Sequence, residues 1–155
     1  MTLKEQLNHK EKVHGLCLKM VKDRVDICQL AMDNAQQASN DEEKSSAGDK
    51  FETSRAMNHM EKEMYGKQLQ SNLMEQAAIQ AISLNGRHDA IQSGSYISCR
   101  DFDFYIAGGL GKTEVNGRLI YLLSPDAPLA ALLRSKKKGD TFLFNKHEIR
   151  IADVY

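Results

Sequence analysis

Two carboxylates three residues apart, Asp49 and Glu52, stand just where helical spacing resumes after a polar stretch. At a helix start that spacing puts both on one face. Carboxylate oxygens are the ligands a hard divalent cation takes. An Asp followed three positions later by Glu is also close to a capping box, which satisfies free backbone amides and complements the helix dipole. Both roles stand together if one carboxylate caps and the other stays free. Asp41, Glu42 and Glu43 bring residues 40–54 to a net charge of −3, from five acids and two bases. For those three, ordinary loop solvation is sufficient explanation.

Other reactive residue types have no spacing that would do chemistry. Cys17, Cys28 and Cys99 are odd in number and contain no CxxC pair, which excludes a zinc ribbon and a thioredoxin-type motif. Cys17 and Cys28, in the helical half, read as small buried thiols. His9, His14, His59, His88 and His147 show no ligand spacing. Residues 107–113, AGGLGKT, end like a phosphate-binding loop, but Ile106 stands where that motif requires its first Gly. Asn116-Gly117 also breaks the chain before a long helix could follow. Lys136, Lys137 and Lys138 beside Gly139 read as a solvated turn.

The elements that must carry these residues divide the chain in two. Aromatics make up 6% of the sequence, and the first 82 residues hold two of them, Phe51 and Tyr65. A stretch so poor in large apolar groups and rich in Ala, Met, Gln, Glu and Lys suits exposed helices. Leu18, Val21, Val25, Cys28, Met32 and Ala35 step by three and four, the seam of an amphipathic helix. Residues 36–50 hold no large apolar residue and several turn formers, which predicts a mobile loop. Helical spacing then resumes at Met57, Met60 and Met64 and continues through Leu69, Leu73, Met74, Ala77, Ala78, Ala81 and Ile82. The methionines are expected to fill the space between two antiparallel helices. Each arm of about 33 residues would span roughly 50 Å.

After Asn85-Gly86 the period changes to two. Phe102, Phe104 and Ile106 alternate with Asp103 and Tyr105, and residues 115–118 (VNGR) predict a type I′ hairpin turn. Pro128 opens a short helix to about Arg134, while Gly139-Asp140 and Asn145-Lys146 mark further turns. The expected fold class is α+β: a helical hairpin over residues 1–84 with an acidic tip near 37–52, then a compact antiparallel sheet domain over 85–155. Net charge is zero, from 21 basic and 21 acidic residues, which argues against binding nucleic acid by bulk electrostatics. The chain has no apolar leader and no run of membrane-spanning length, so a soluble, cytoplasmic protein is expected.

Two segments resemble the Gre-type (GreA/GreB family) transcript-cleavage factors of bacterial RNA polymerase. Gly48-Asp49-Lys50-Phe51-Glu52-Thr53, with Ala56 and Glu61, is similar to the GDxxEN opening of their second coiled-coil helix. Ser124-Pro125-Asp126-Ala127-Pro128-Leu129-Ala130-Ala131-Leu132-Leu133, followed by Lys138-Gly139-Asp140, resembles the signature of their FKBP-like C-terminal domain. Thr53 replaces the family's tip Asn, Ser54-Arg55 its Glu-Tyr pair, Leu123 the polar residue before Ser-Pro, and Arg134-Ser135 its Gly-Lys. These departures suggest a divergent branch.

The resemblance implies an accessory factor, not an enzyme, that enters the polymerase secondary channel. Asp49 and Glu52 would assist a second Mg ion there, so that the polymerase hydrolyses a backtracked transcript. Ser124, Pro125 and Asp126 would lie in the loop that docks on the channel rim. No cofactor would be stably bound. The partner would be RNA polymerase, with the nascent RNA 3′ end reached indirectly, no direct DNA contact, no membrane, and a monomeric state. Three alternatives remain: a channel-binding regulator without cleavage stimulation, a prolyl isomerase, and a dimeric coiled-coil scaffold. The isomerase reading is weakened by the absence of Trp.

Overall fold

The computed structural model of the protein describes residues 1–43 and 48–155, with side chains outside 42–51. These residues form two compact units, Met1–Met20 with Ala78–Tyr155, and Val21–Ala77. Helix α1 (Leu3–Glu43) and helix α2 (Gly48–Gln80) each contribute to both. The architecture is α+β, two helices followed by a mainly antiparallel sheet.

Helix α1 starts with a reciprocal cap: the Glu5 amide donates to Thr2 Oγ1 at 3.2 Å and the Thr2 amide to Glu5 Oε2 at 2.7 Å. The backbone hydrogen bond from Thr2, followed by its side-chain bond, draws the Glu5 carboxyl below its ordinary pKa. In the unit Val21–Ala77 the apolar seam of α1 is as its spacing predicts, with Val21, Cys28 and Ala35 buried and Val25 and Met32 partly so. Three contacts give the register against α2. Cys28 Sγ lies 3.3 Å from Asn72 Nδ2 and 3.9 Å from Gln68 Oε1. A Cβ placed on Gly66 would lie 3.8 Å from Met32 Sδ. Lys62 donates to Gln36. Partners climb one helix while descending the other, so the two run antiparallel.

Two expectations fail here. Residues 36–43 are helical, and the stretch 44–47 lies outside the described residues. The polar run continues the helix because no Pro or Gly interrupts it, and Gln36–Asn40 and Gln37–Asp41 add bonds four residues apart. Met57, Met60 and Met64 do not fill the seam. They are 59%, 68% and 46% exposed, as Leu73 and Met74 also are. The face of α2 that is withdrawn from solvent carries Ser54, Asn58, Tyr65, Leu69, Asn72 and Gln76, with Ile79 fully buried. Hydrogen-bonding side chains therefore occupy positions that an apolar pattern would give to methionine.

The other unit is built on a five-stranded sheet in the order β3-β4-β2-β1-β7. Its strands are β1 (Tyr96–Ser98), β2 (Phe102–Ile106), β3 (Gly111–Val115), β4 (Arg118–Leu123) and β7 (Asp153–Val154). The β3–β4 turn is type I′ as expected, with φ of +52° at Asn116 and +77° at Gly117. That hairpin folds β4 inward against β2, with Phe104 opposite Tyr121, and the two run parallel. The sheet is thus mixed, not wholly antiparallel as expected. Helix α3 (Pro128–Leu133) begins with Pro in its first turn. Strands β5 (Thr141–Phe144) and β6 (His147–Arg150) form a separate two-stranded sheet.

Period-two alternation sends the side chains of β1 and β2 to two opposite faces. Phe104, Ile106 and Ile97 face α3 and β5, joining Leu133, Phe142 and Ile151 in an apolar cluster. Tyr96, Tyr105 and Asp103 face the opposite way, toward the first turns of α1. Tyr96 and Tyr105 thus meet the helix that carries imidazoles, while Phe104 meets the apolar layer, where Tyr121 also packs.

Candidate functional site

Asp49 lies in the first turn of α2, and its side chain is outside the described residues. Glu52, one turn on, is exposed and has no hydrogen-bond or ion-pair partner among the described residues. It borders an open cavity of about 540 Å³ with Gln36, Ser39, Arg55, His59 and Lys62. Arg55, His59 and Lys62 recur at helical spacing, so they line one face of α2. A free carboxylate is a suitable ligand for a hard divalent cation, and the structure places a guanidinium on the same cavity. Of the other tip acids, Asp41 is exposed on α1, while the side chains of Glu42 and Glu43 are outside the described residues.

Ser124, Pro125 and Asp126 form the entry to α3. Ser124 Oγ accepts from the Asp126 amide at 3.2 Å, and the Ser124 carbonyl accepts from the Ala127 amide at 3.0 Å. Arg134 Nη2 lies 3.4 Å from the Pro125 carbonyl. The segment is therefore a hydrogen-bonded turn, with Ser124 and Pro125 partly buried and Asp126 exposed. Lys137 and Asp140 form a further local turn, the Lys137 amide donating to Asp140 Oδ2 at 2.8 Å.

The most elaborate polar constellation was not legible as a site from spacing. Asp103, 3% exposed, accepts from Tyr96 Oη at 2.5 Å, from Arg118 Nη2 at 2.5 Å and from the Cys99 amide at 3.3 Å. Arg118 Nη2 also donates to the Cys99 carbonyl at 2.7 Å. His9 Nε2 sits 2.9 Å from Tyr96 Oη, and His14 Nδ1 sits 2.8 Å from Tyr105 Oη. Since Tyr96 gives its proton to Asp103, His9 Nε2 is the donor in its own bond. Burial lowers the pKa of both imidazoles, His14 further through the nearby Lys10 charge. Burial, then the hydrogen bond to Asp103, raises that of Tyr96. Gln6 ties the helix to the sheet edge at Asp153 Oδ2, 2.7 Å away, and accepts from Arg87 Nη1 at 2.8 Å.

These groups border a cavity of about 380 Å³, yet Asp103 has its lone pairs taken. The arrangement positions a helix on a sheet and leaves no free acid–base pair. Cys17 and Cys99 are buried thiols pushed up to about 12 by that burial, which makes them poor nucleophiles at neutral pH. No group of three or more metal-ligating side chains occurs among the described residues. No described helix is long and apolar enough to cross a membrane.

No family model matches the chain, and no curated protein matches it significantly. Among solved structures, one titled "Structure of the transcription factor Gfh1" is similar at 12% identity. The match covers 89% of this chain and 92% of that one, with a TM-score of 0.34. So loose a superposition carries no argument about fold or function.

Proposed function

We propose that this protein is a secondary-channel factor of RNA polymerase that stimulates cleavage of backtracked transcripts. The observation that carries the reading is the tip-like segment Gly48–Thr53, which resembles the Gre motif and opens a helix antiparallel to α1, with Glu52 exposed and without a partner among the described residues. A divalent ion shared with the polymerase would supply the charge that stabilises attacking and leaving oxygens. In this reading Glu52 offers a carboxylate at low desolvation cost, and Asp49 on the same helix face supplies the second. The chain brings no complete active site; it adds anionic ligands to one that lies in its partner.

A second reading has its own observation. Arg55 borders the same cavity as Glu52, and a guanidinium that swings onto the carboxylate would compete with a cation for it. The protein would then occupy the channel as a regulator without stimulating cleavage. Stalled, backtracked complexes of the cognate polymerase separate the two. Shortened transcripts that vanish with Asp49→Ala plus Glu52→Ala, while polymerase binding persists, support the cleavage factor. Binding without cleavage by the unmodified protein supports the regulator, and absence of binding sinks both.

A further inference from the structure

Helix α2 borders two cavities of different chemistry. Arg55, His59 and Lys62 line the one shared with Gln36 and Ser39 of α1. The other, open and of about 330 Å³, is lined by Met57, Met60, Glu61 and Met64. The three methionines stand at i, i+3 and i+7, which makes one stripe two turns long, roughly 10 Å. All three are exposed, while the helix withdraws Asn58, Tyr65 and Asn72 from solvent. These methionines fill no core, and they stand where a solvated face ordinarily carries polar side chains.

The charge on the stripe selects its occupant. Glu61 is the ionic group lining that cavity, and none of the ion pairs among the described residues involves it. The adjacent cation, Lys62, donates instead to Gln36 of α1. A second copy packed about a two-fold axis would lay the stripe on itself and set Glu61 near its own equivalent in a desolvated contact, which is unfavourable. An anionic lipid surface would meet the same repulsion. Methionine, unbranched and polarizable, adapts to apolar side chains of differing shape. A helix offers such anchors at matching spacing, and a lysine or arginine beside them would reach the carboxylate.

We propose that this stripe docks a basic amphipathic helix of another protein, with apolar side chains seated on Met57, Met60 and Met64 and a cationic side chain paired with Glu61. The site needs neither Asp49 nor Glu52 and no metal ion, so it stands apart from the chemistry at the tip.

Fluorescence anisotropy of a labelled Leu/Lys amphipathic peptide of about 18 residues, long enough to form a helix, titrated with the full chain at physiological salt, tests it. One peptide per chain, bound saturably, is the expected result, with a Leu/Glu peptide of the same pattern binding at least about tenfold more weakly. Met57→Gln, Met60→Gln and Met64→Gln combined should weaken Leu/Lys binding by at least about tenfold, because the apolar contact is removed, and should leave the circular dichroism of the chain unchanged. Met57→Leu, Met60→Leu and Met64→Leu combined should bind like the unmodified protein. Glu61→Lys should shift the preference toward the Leu/Glu peptide. Absence of saturable binding overturns the proposal, as does equal binding by the Gln variant or an unaltered preference in Glu61→Lys. Dimers in sedimentation velocity that the Gln variant abolishes would assign the stripe to a second copy and overturn it too. The peptide stands in for the partner, so the outcome does not depend on whether the protein stimulates transcript cleavage.

Discussion

Asp103 is a buried carboxylate of the sheet, joined to His9 of α1 through the Tyr96 hydroxyl. It accepts from Tyr96, Arg118 and the Cys99 amide while 3% exposed. Truncating it strands a guanidinium and a tyrosine hydroxyl, so Asp103→Ala should cost about 3–5 kcal/mol, measurable by urea denaturation. A cost below about 1 kcal/mol would mean that water replaces the carboxylate without penalty. The imidazoles beside it give a pH dependence of defined sign. His9 and His14 have folded-state pKa values lowered by burial, so the unfolded chain binds protons more readily. Their contribution is complete above about pH 6.5, the ordinary value, and fades as pH falls through the lowered folded values. Thermal midpoints should therefore drop between pH 7 and pH 5, and His14→Gln should flatten part of that slope. A midpoint that rises on acidification would contradict the assignment.

At the scale of elements, what was legible depended on whether burial followed hydrophobicity. The α1 seam through Val21, Cys28 and Ala35, the Asn116-Gly117 turn and the Pro128 helix start all combine the usual residue with its usual place. The early turns of α1 were opaque because their buried face includes Gln6, Lys10 and His14; Gln6 meets Asp153 and His14 meets Tyr105 of the sheet, while Lys10 Nζ has no hydrogen-bond partner among the described residues. The face of α2 was misread for the converse reason. Asn58, Asn72 and Gln76 are withdrawn from solvent while methionines are exposed, so an apolar pattern selects the wrong side. Replacing Met57, Met60 and Met64 together by Gln should change stability by less than about 0.5 kcal/mol per site. Seam methionines would instead cost about 2–5 kcal/mol each if truncated. Gly66→Ala should stabilise α2 by about 1 kcal/mol, since the new methyl would make only an ordinary contact with Met32 Sδ. Gly94→Ala should do the reverse. Its φ is +86°, and a Cβ there would lie 2.7 Å from Ile82 Cγ2. Guanidinium melts of the two alanine variants must move in opposite directions for this reading to hold.

Across the whole molecule, the two units differ in what holds them. The unit of Met1–Met20 and Ala78–Tyr155 has a contiguous apolar cluster through Ile97, Phe104, Leu133, Phe142 and Ile151, backed by the polar interface around Asp103. In Val21–Ala77 the buried apolar side chains among the described residues are Val21, Cys28 and Ala35. The remaining contacts between its helices include exposed or partly buried hydrogen bonds such as Lys62–Gln36 and Asn72–Cys28. Each such bond contributes about 0.5–1.5 kcal/mol net, and exposed helices of marginal propensity need tertiary packing to persist. Native-state hydrogen exchange should therefore show two tiers. Amides of the β1, β2 and β4 strands should exchange only through global unfolding, while those of 25–43 and 52–75 should open sub-globally at lower free energy. Raising denaturant should leave the lower tier nearly unchanged at first and reduce the upper tier steeply, because the larger opening exposes more surface. Equal protection in both units would show that the polar seam of α2 contributes as much as the apolar cluster.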